Sequence, residues 1–119
     1  MYYNFTMKLV DGGILLSELE KMADVMFGGL VKAVVDVERE IMVVDAGMHA
    51  DEEDYLLKNG SDQKNLWGVN IYPKNGDFLI EFDSMINLRP QQGNLSRGVE
   101  DPQLQKKIQG IVRKLVLKK

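Results

Sequence analysis

His49 is the only histidine of the chain, and it stands in the stretch Met48-His49-Ala50-Asp51-Glu52-Glu53-Asp54, ahead of four consecutive acids. If the segment is helical, positions i+3 and i+4 share a face with residue i. His49 with Glu52 or Glu53 could then hold a divalent metal or pass a proton. The set lacks the second histidine that gives H-E-x-x-H its specificity. The acids also have a simpler use. They fall in the first turn of a helix expected over residues 51–58, where they complement the positive end of the dipole. Lys58 falls in its last turn and Asn59-Gly60 is a stop signal. Helix chemistry therefore accounts for most of MHADEED, and the metal assignment to His49, Glu52 and Glu53 is the weaker use.

A second constellation lies in Glu81-Phe82-Asp83-Ser84-Met85-Ile86-Asn87-Leu88-Arg89-Pro90 and the loop that follows. Glu81 and Asp83, two apart on one strand face, could act as paired carboxylates. With His49 they are the catalytic candidates. Asn70, Asp83, Asn87 and Arg89 are expected on one polar sheet face, with Gln92, Asn94, Ser96 and Arg97 on the loop beyond. Amides and guanidinium groups in such numbers could grip an anion or a second protein chain through planar, multi-donor hydrogen bonds. Two plainer uses compete with binding. The face could meet water, with Asp83 and Arg89 as an ordinary ion pair, or the amides could satisfy the loop's own backbone. No G-x-x-x-x-G-K-[ST], G-x-G-x-x-G or G-x-S-x-G occurs, and there is no cysteine. No cofactor follows from these residues, and they do not decide whether the chain is an enzyme.

The elements that must position these groups can be read from hydropathy. Residues 3–9 alternate as a half-buried strand, and Asp11-Gly12-Gly13 breaks it. Ser17 with Glu20 forms a capping box for a helix bearing Leu19, Met22, Ala23 and Met26, which Gly28-Gly29 stops. Val31, Ala33, Val35 and Val37 mark a strand, and Ile41-Met42-Val43-Val44 another. A turn at Arg39-Glu40 sets Val35 against Val44. The next hairpin is better determined, because Asn75-Gly76 suits a type I′ turn. That turn pairs Lys74 with Asp77, Ile71 with Ile80, Asn70 with Glu81, Val69 with Phe82 and Gly68 with Asp83. The alternation continues to Leu88 and Arg89, and Pro90 ends it. Trp67 falls on the apolar face as a core residue. Asp101-Pro102 is a cap followed by a first-turn proline, opening a last helix whose stripe is Leu104, Ile108, Ile111, Val112 and Leu115. The expectation is one α+β domain over residues 1–119. It has a mainly antiparallel sheet of about five strands and three helices, ordered β-α-β-β-α-β-β-α, with the helices on one sheet face.

Composition narrows the setting. The 119 residues suit one domain, and no apolar run approaches the ~20 residues of a membrane span. The start, MYYNFTMKLVDGG, lacks the features of a signal peptide, which with the absence of cysteine favours a cytoplasmic location. A net charge of −3 argues against a nucleic-acid partner. Six basic residues nevertheless follow Leu104 (Lys106, Lys107, Arg113, Lys114, Lys118 and Lys119) with no acid among them.

Several stretches carry a resemblance. They are Lys32-Ala33-Val34-Val35-Asp36, His49-Ala50-Asp51-Glu52-Glu53, Asn59-Gly60-Ser61, Leu66 to Pro73 and Phe82 to Pro90, with Gln92-Gly93-Asn94, Ser96-Arg97 and Val99-Glu100-Asp101 after them. Together they resemble a family of short bacterial and archaeal proteins of unknown function over almost the whole chain after the first strand. Asp45-Ala46-Gly47-Met48 departs from the family's more glycine-rich approach to His49. The resemblance implies no activity, cofactor or catalytic residue. The functional expectation therefore rests on the residues. It is a small cytosolic binding or interaction module, self-associating or holding an anionic ligand through the polar face and the 87–97 loop. The alternative is a small hydrolase or phosphate-handling enzyme with a carboxylate and histidine site.

Overall fold

A computed structural model describes residues 7–26, 28–75 and 77–118. Its elements in chain order are β1 (Lys8–Val10), β2 (Ile14–Leu15), α1 (Leu16–Asp24), β3 (Val31–Asp36), β4 (Ile41–Val44), α2 (His49–Lys58), β5 (Leu66–Tyr72), β6 (Leu79–Glu81), α3 (Pro102–Leu115) and β7 (Val116–Leu117). Five strands form one antiparallel sheet in the order β1-β4-β3-β5-β6. The α+β class, the three helices and the five-stranded sheet agree with the sequence. Of the strand expected over residues 3–9, residues 3–6 lie outside the described residues. β2 and β7 add a two-residue parallel pair that hydropathy did not signal.

The helices do not share one sheet face, contrary to expectation. α1 and α3 cover one side, where Leu19, Ala23, Ile108, Ile111, Val112 and Leu115 pack on Ala33, Val35, Met42, Val44, Trp67, Val69 and Ile71. α2 lies on the other, with Leu56 against Val34, Ile41, Val43 and Leu66. The physical reason is visible in β4. Ile41-Met42-Val43-Val44 is apolar without alternation and every residue is buried, as a strand covered on both faces requires. α2 packs chiefly over β3 and β4, reaching β5 through Leu56 beside Leu66 and through His49 on Val69 O.

Local chemistry explains the other departures. α1 begins directly after β2, with Leu15 at the cap position, so Ser17 lies inside the helix instead of capping it. α2 starts at His49, two residues before the expected turn of acids. α3 opens as the sequence indicated, with Pro102 in the first turn and Asp101 Oδ1 accepting from Gln103 N at 3.0 Å. In the β3–β4 hairpin the pairs are Val35 with Met42 and Asp36 with Ile41, so the loop has four residues where two were expected. The buried carboxylate of Asp36 sets this loop. Its Oδ1 accepts from Glu38 N at 2.9 Å and Arg39 N at 3.0 Å, while Oδ2 accepts from Ser61 Oγ at 2.6 Å. The shift is by two residues, so every side chain keeps its face.

The β5–β6 register is the expected one at Ile71 with Ile80 and Asn70 with Glu81. The ladder is shorter than expected at both ends. At the tip it stops at Tyr72 with Leu79, and Gly76 lies outside the described residues. Lys74 instead pairs with Asp24, and Asp77 with Arg113 and Lys118. At the other end β6 stops at Glu81, so neither Val69 with Phe82 nor Gly68 with Asp83 is a strand pair.

Replacing Asp36 by alanine strands two turn N–H groups and the Ser61 hydroxyl. It is expected to lower unfolding free energy by about 1–3 kcal/mol, measured by urea denaturation. Asp36→Asn, which keeps an acceptor for the turn, is expected to lose less.

Candidate functional site

Where β6 ends, a side chain takes over its bonding. Gly68 N donates to Asn87 Oδ1 at 2.8 Å, and Asn87 Nδ2 donates to Gly68 O at 2.9 Å and to Arg97 O at 3.0 Å. The Asn87 amide thus occupies the bonding position that Asp83 would have filled as the next ladder residue. A fully buried amide with both ends paired is a structural anchor, and Asn87 has no solvent exposure. This overturns its expected place on an open polar face.

The same correction applies to Arg89, which is only 6% exposed. Its Nε donates to Ile86 O at 2.9 Å, and Nη1 donates to Gln63 O at 2.8 Å and Gln92 Oε1 at 3.3 Å. Nη2 donates to Leu66 O and lies 3.5 Å from Glu53 Oε2. The guanidinium also sits 4.6 Å from the centroid of the Trp67 ring. Arg89 therefore ties α2, the start of β5 and the 86–92 loop together, and no Asp83–Arg89 ion pair forms. Asp83 pairs instead with Arg97 at 2.7 Å, half-exposed.

The loop amides are likewise engaged. Asn94 Nδ2 donates to Asn87 O at 2.7 Å, Gly98 O at 2.8 Å and Ser96 O at 3.2 Å, and its Oδ1 accepts from Glu100 N at 2.9 Å. Gln92 Nε2 donates to Lys64 O, and Ser96 Oγ accepts from Gly98 N. The use of these residues to satisfy the loop's own backbone is the one the geometry displays.

The remaining candidates converge. A cleft of 460 Å³ opens on the α2 side of the sheet, over β5 and β6. Lys32, His49, Asn70, Tyr72, Glu81, Asp83 and Arg97 give it polar walls, and Leu30, Met48, Met85 and Ile86 give it apolar ones. Gly47, Met48, His49 and Ala50 bring the start of α2 into the wall. No side chain among the described residues caps that helix end. Gly68 permits the close packing beneath. A Cβ there would lie 2.6 Å from Ser84 Cβ and Oγ and 3.2 Å from His49 Cδ2. Lys32 and Tyr72 carried no signal as site residues in the sequence. Lys32 was one polar member of an alternating strand, and only its position opposite Asn70 reveals it.

The protonation states follow from burial. His49 is 8% exposed and its Nε2 lies 2.8 Å from Val69 O, which must accept. Nε2 therefore carries the hydrogen and Nδ1 keeps a lone pair. Burial lowers its pKa, with the Val69 carbonyl opposing and the charges of Lys32, Asp83 and Arg97 also acting on the ring. Burial likewise pushes the Glu52 carboxyl well above the usual carboxylate range, against one hydrogen bond from Ala46 N at 3.0 Å. Tyr72 is raised by burial and then by Glu81, so its phenol stays protonated and donates to Glu81 Oε1 at 3.1 Å.

His49, Glu52 and Glu53 do not form a ligand set. One polar atom of each is turned to a different partner, His49 Nε2 to Val69 O, Glu52 Oε2 to Ala46 N and Glu53 Oε2 to Arg89, while Glu52 Oε1 has no partner among the described residues. No group of three or more metal-binding side chains occurs among the described residues. The basic last helix is partly neutralised, since Lys114 pairs with Glu40 at 2.5 Å and Arg113 with Asp77 at 3.5 Å. Among the described residues no helix is long and apolar enough to cross a membrane.

A family model described as a protein of unknown function, DUF5674, matches residues 8–115, and the chain belongs to that family. No curated protein and no solved structure matches. The resemblance read from the sequence is therefore a family membership over nearly the full chain.

The lowered His49 pKa has a definite sign. The unfolded chain takes up the proton near the ordinary 6.5, before the folded protein does. Stability is expected to fall as pH drops below that value and to level off below the native pKa. The proton NMR titration of the His49 ring should give a midpoint below 6.5. A midpoint at or above it would contradict the burial described here.

Proposed function

We propose that this DUF5674 protein is a binding module for a small polar molecule, held in the cleft between the start of α2 and the β5–β6 pair. The observation that carries the proposal is the carbonyl of Asn70. Asn70 is 5% exposed, and its Oδ1 has no hydrogen-bond partner among the described residues. Its orientation is dictated by its neighbours. Nδ2 faces two acceptors, Glu81 Oε1 at 2.9 Å and Asp83 O at 3.4 Å, so flipping the amide would set oxygen against oxygen. A buried acceptor left unpaired costs about 1–3 kcal/mol, and a donor from a ligand in the cleft would remove that cost. Lys32 and the uncapped first turn of α2 complement an anionic group at the same place.

The alternative, a small hydrolase or phosphate-handling enzyme built on His49, Glu81 and Asp83, has less support. His49 Nε2 is spent on Val69 O, and Ser84 Oγ accepts from Ile86 N at 3.3 Å. Glu81 Oε1 already takes two donors. Self-association through Arg89 is also disfavoured, because a guanidinium enclosed by carbonyls and an indole ring offers little to a partner. Asn70, Asp83 and Arg97 remain binding residues in this proposal, and Lys32, His49, Tyr72 and Glu81 join them.

Titration of isotope-labelled protein with small carboxylates, amines and phosphate monoesters, followed by amide NMR, tests the proposal. At least one class is expected to shift Lys32, His49, Asn70 and Glu81 together. In Asn70→Ala its affinity should fall about tenfold, the equivalent of ~1.4 kcal/mol. Shifts confined to other surfaces, or binding indifferent to Asn70→Ala, would contradict it.

A further inference from the structure

The cleft floor is a row of three residues lying side by side on adjacent strands. Asn70 stands directly opposite Lys32 of β3 on one flank and Glu81 of β6 on the other. Residues directly opposite in antiparallel strands project to the same face. The row therefore reads ammonium, amide, carboxylate. With strands ~4.8 Å apart, Lys32 and Glu81 are anchored roughly 10 Å from each other across it. The uncapped first turn of α2 stands over the row, its His49 bonded to Val69 O next to Asn70 and sharing the cleft with Lys32. Asp83, whose carbonyl also meets Asn70 Nδ2, lies at the Glu81 end.

A ligand that is only an anion leaves Glu81 without a counter-charge, since Arg97 at that end is paired with Asp83, and a carboxylate offers no donor to Asn70 Oδ1. A ligand that is only a cation leaves Lys32 and the helix start without one. We infer that the cleft takes a small zwitterion, a free amino acid. Its carboxylate lies toward Lys32 and the first turn of α2, and its ammonium lies toward Glu81, donating to the orphan carbonyl of Asn70. Three donor hydrogens on an ammonium can serve both Glu81 and Asn70 Oδ1. Leu30, Met48, Met85 and Ile86 line the rest of the cleft, which selects an apolar side chain, and methionine walls adapt to its shape. Met48 and Met85 are 59% and 63% exposed, so apolar surface is still open to cover. This inference rests on the small-molecule proposal above and names its ligand class.

The test uses L-leucine, N-acetyl-L-leucine and L-leucinamide, the last two each lacking one charge, with acetate and inorganic phosphate as plain anions. Binding is followed by amide NMR and calorimetry on the full chain. L-leucine is expected to bind at millimolar concentration or tighter, shifting Lys32, His49, Asn70 and Glu81. Each blocked form should bind at least about tenfold more weakly. Glu81→Gln and Lys32→Met should each weaken L-leucine by a similar factor. Their thermal midpoints, measured without ligand, report whether the fold is kept. If Glu81→Gln fails to fold, the comparison of L-leucine with L-leucinamide and N-acetyl-L-leucine in the unaltered protein still decides the matter. Equal binding of N-acetyl-L-leucine or of L-leucinamide overturns the zwitterion. So does binding of acetate or phosphate at the cleft without L-leucine, although the broader small-molecule proposal would survive that result. Absence of binding by L-leucine and by every other small molecule in the cleft overturns both.

Discussion

The pairing of the Asn87 side chain with the backbone of Gly68 is the constraint from which the site follows. A strand that loses its neighbour must satisfy its N–H and C=O in another way or hand them to water. Here β6 stops at Glu81, and one primary amide supplies a donor and an acceptor to the next residue of β5. Because the substitute is one side chain, the main chain after Glu81 is released from the sheet. Ser84, Met85 and Ile86 then form a wall over β5 where a longer β6 would have continued flat. The absence of a side chain on Gly68 lets Ser84 and His49 come down onto the sheet, giving the cleft its floor and one side.

The division of labour among the polar residues reflects the same economy of partners. Asn87, Arg89 and Asn94 are buried and have their polar atoms spent on carbonyls, N–H groups and one carboxylate, so they hold the chain in place. Asn70 is buried to the same degree but is left half-satisfied at the cleft wall. Native proteins rarely leave a buried polar atom unpaired, and this one is the atom that the proposed ligand would satisfy. The neutral imidazole of His49 belongs to this setting. It is kept uncharged by burial and aligned by Val69, at the helix start that brings α2 into the wall.

The sequence showed what local chemistry decides. Asn70 against Glu81 could be counted from the Asn-Gly signal, and the Asp101-Pro102 start of α3 and the acid-rich start of α2 are properties of neighbouring residues. Elements fixed by distant partners were not legible in the same way. The β3–β4 loop has four residues because Asp36 meets Ser61, 25 positions on. Asn87 looked like one more polar position in an alternation, since only its pairing with Gly68, 19 residues earlier, reveals that the strand has already ended. The apolar run of β4 lacks alternation because both of its faces are covered, whereas alternation in the neighbouring strands suggested a single core face. Lys32 entered the site only once β3 and β5 were paired.

Hydrogen exchange at the Gly68 amide tests the central claim most directly, because that proton is held by a side chain where a strand would otherwise hold it. In the native protein it should be protected to a degree comparable with Asn70 and Val69. In Asn87→Ala its protection should fall by about 10- to 100-fold more than that of Val69, the equivalent of ~1.4–2.8 kcal/mol of local stability. A Gly68 amide that exchanges freely in the native protein, or that stays protected without Asn87, would contradict the account.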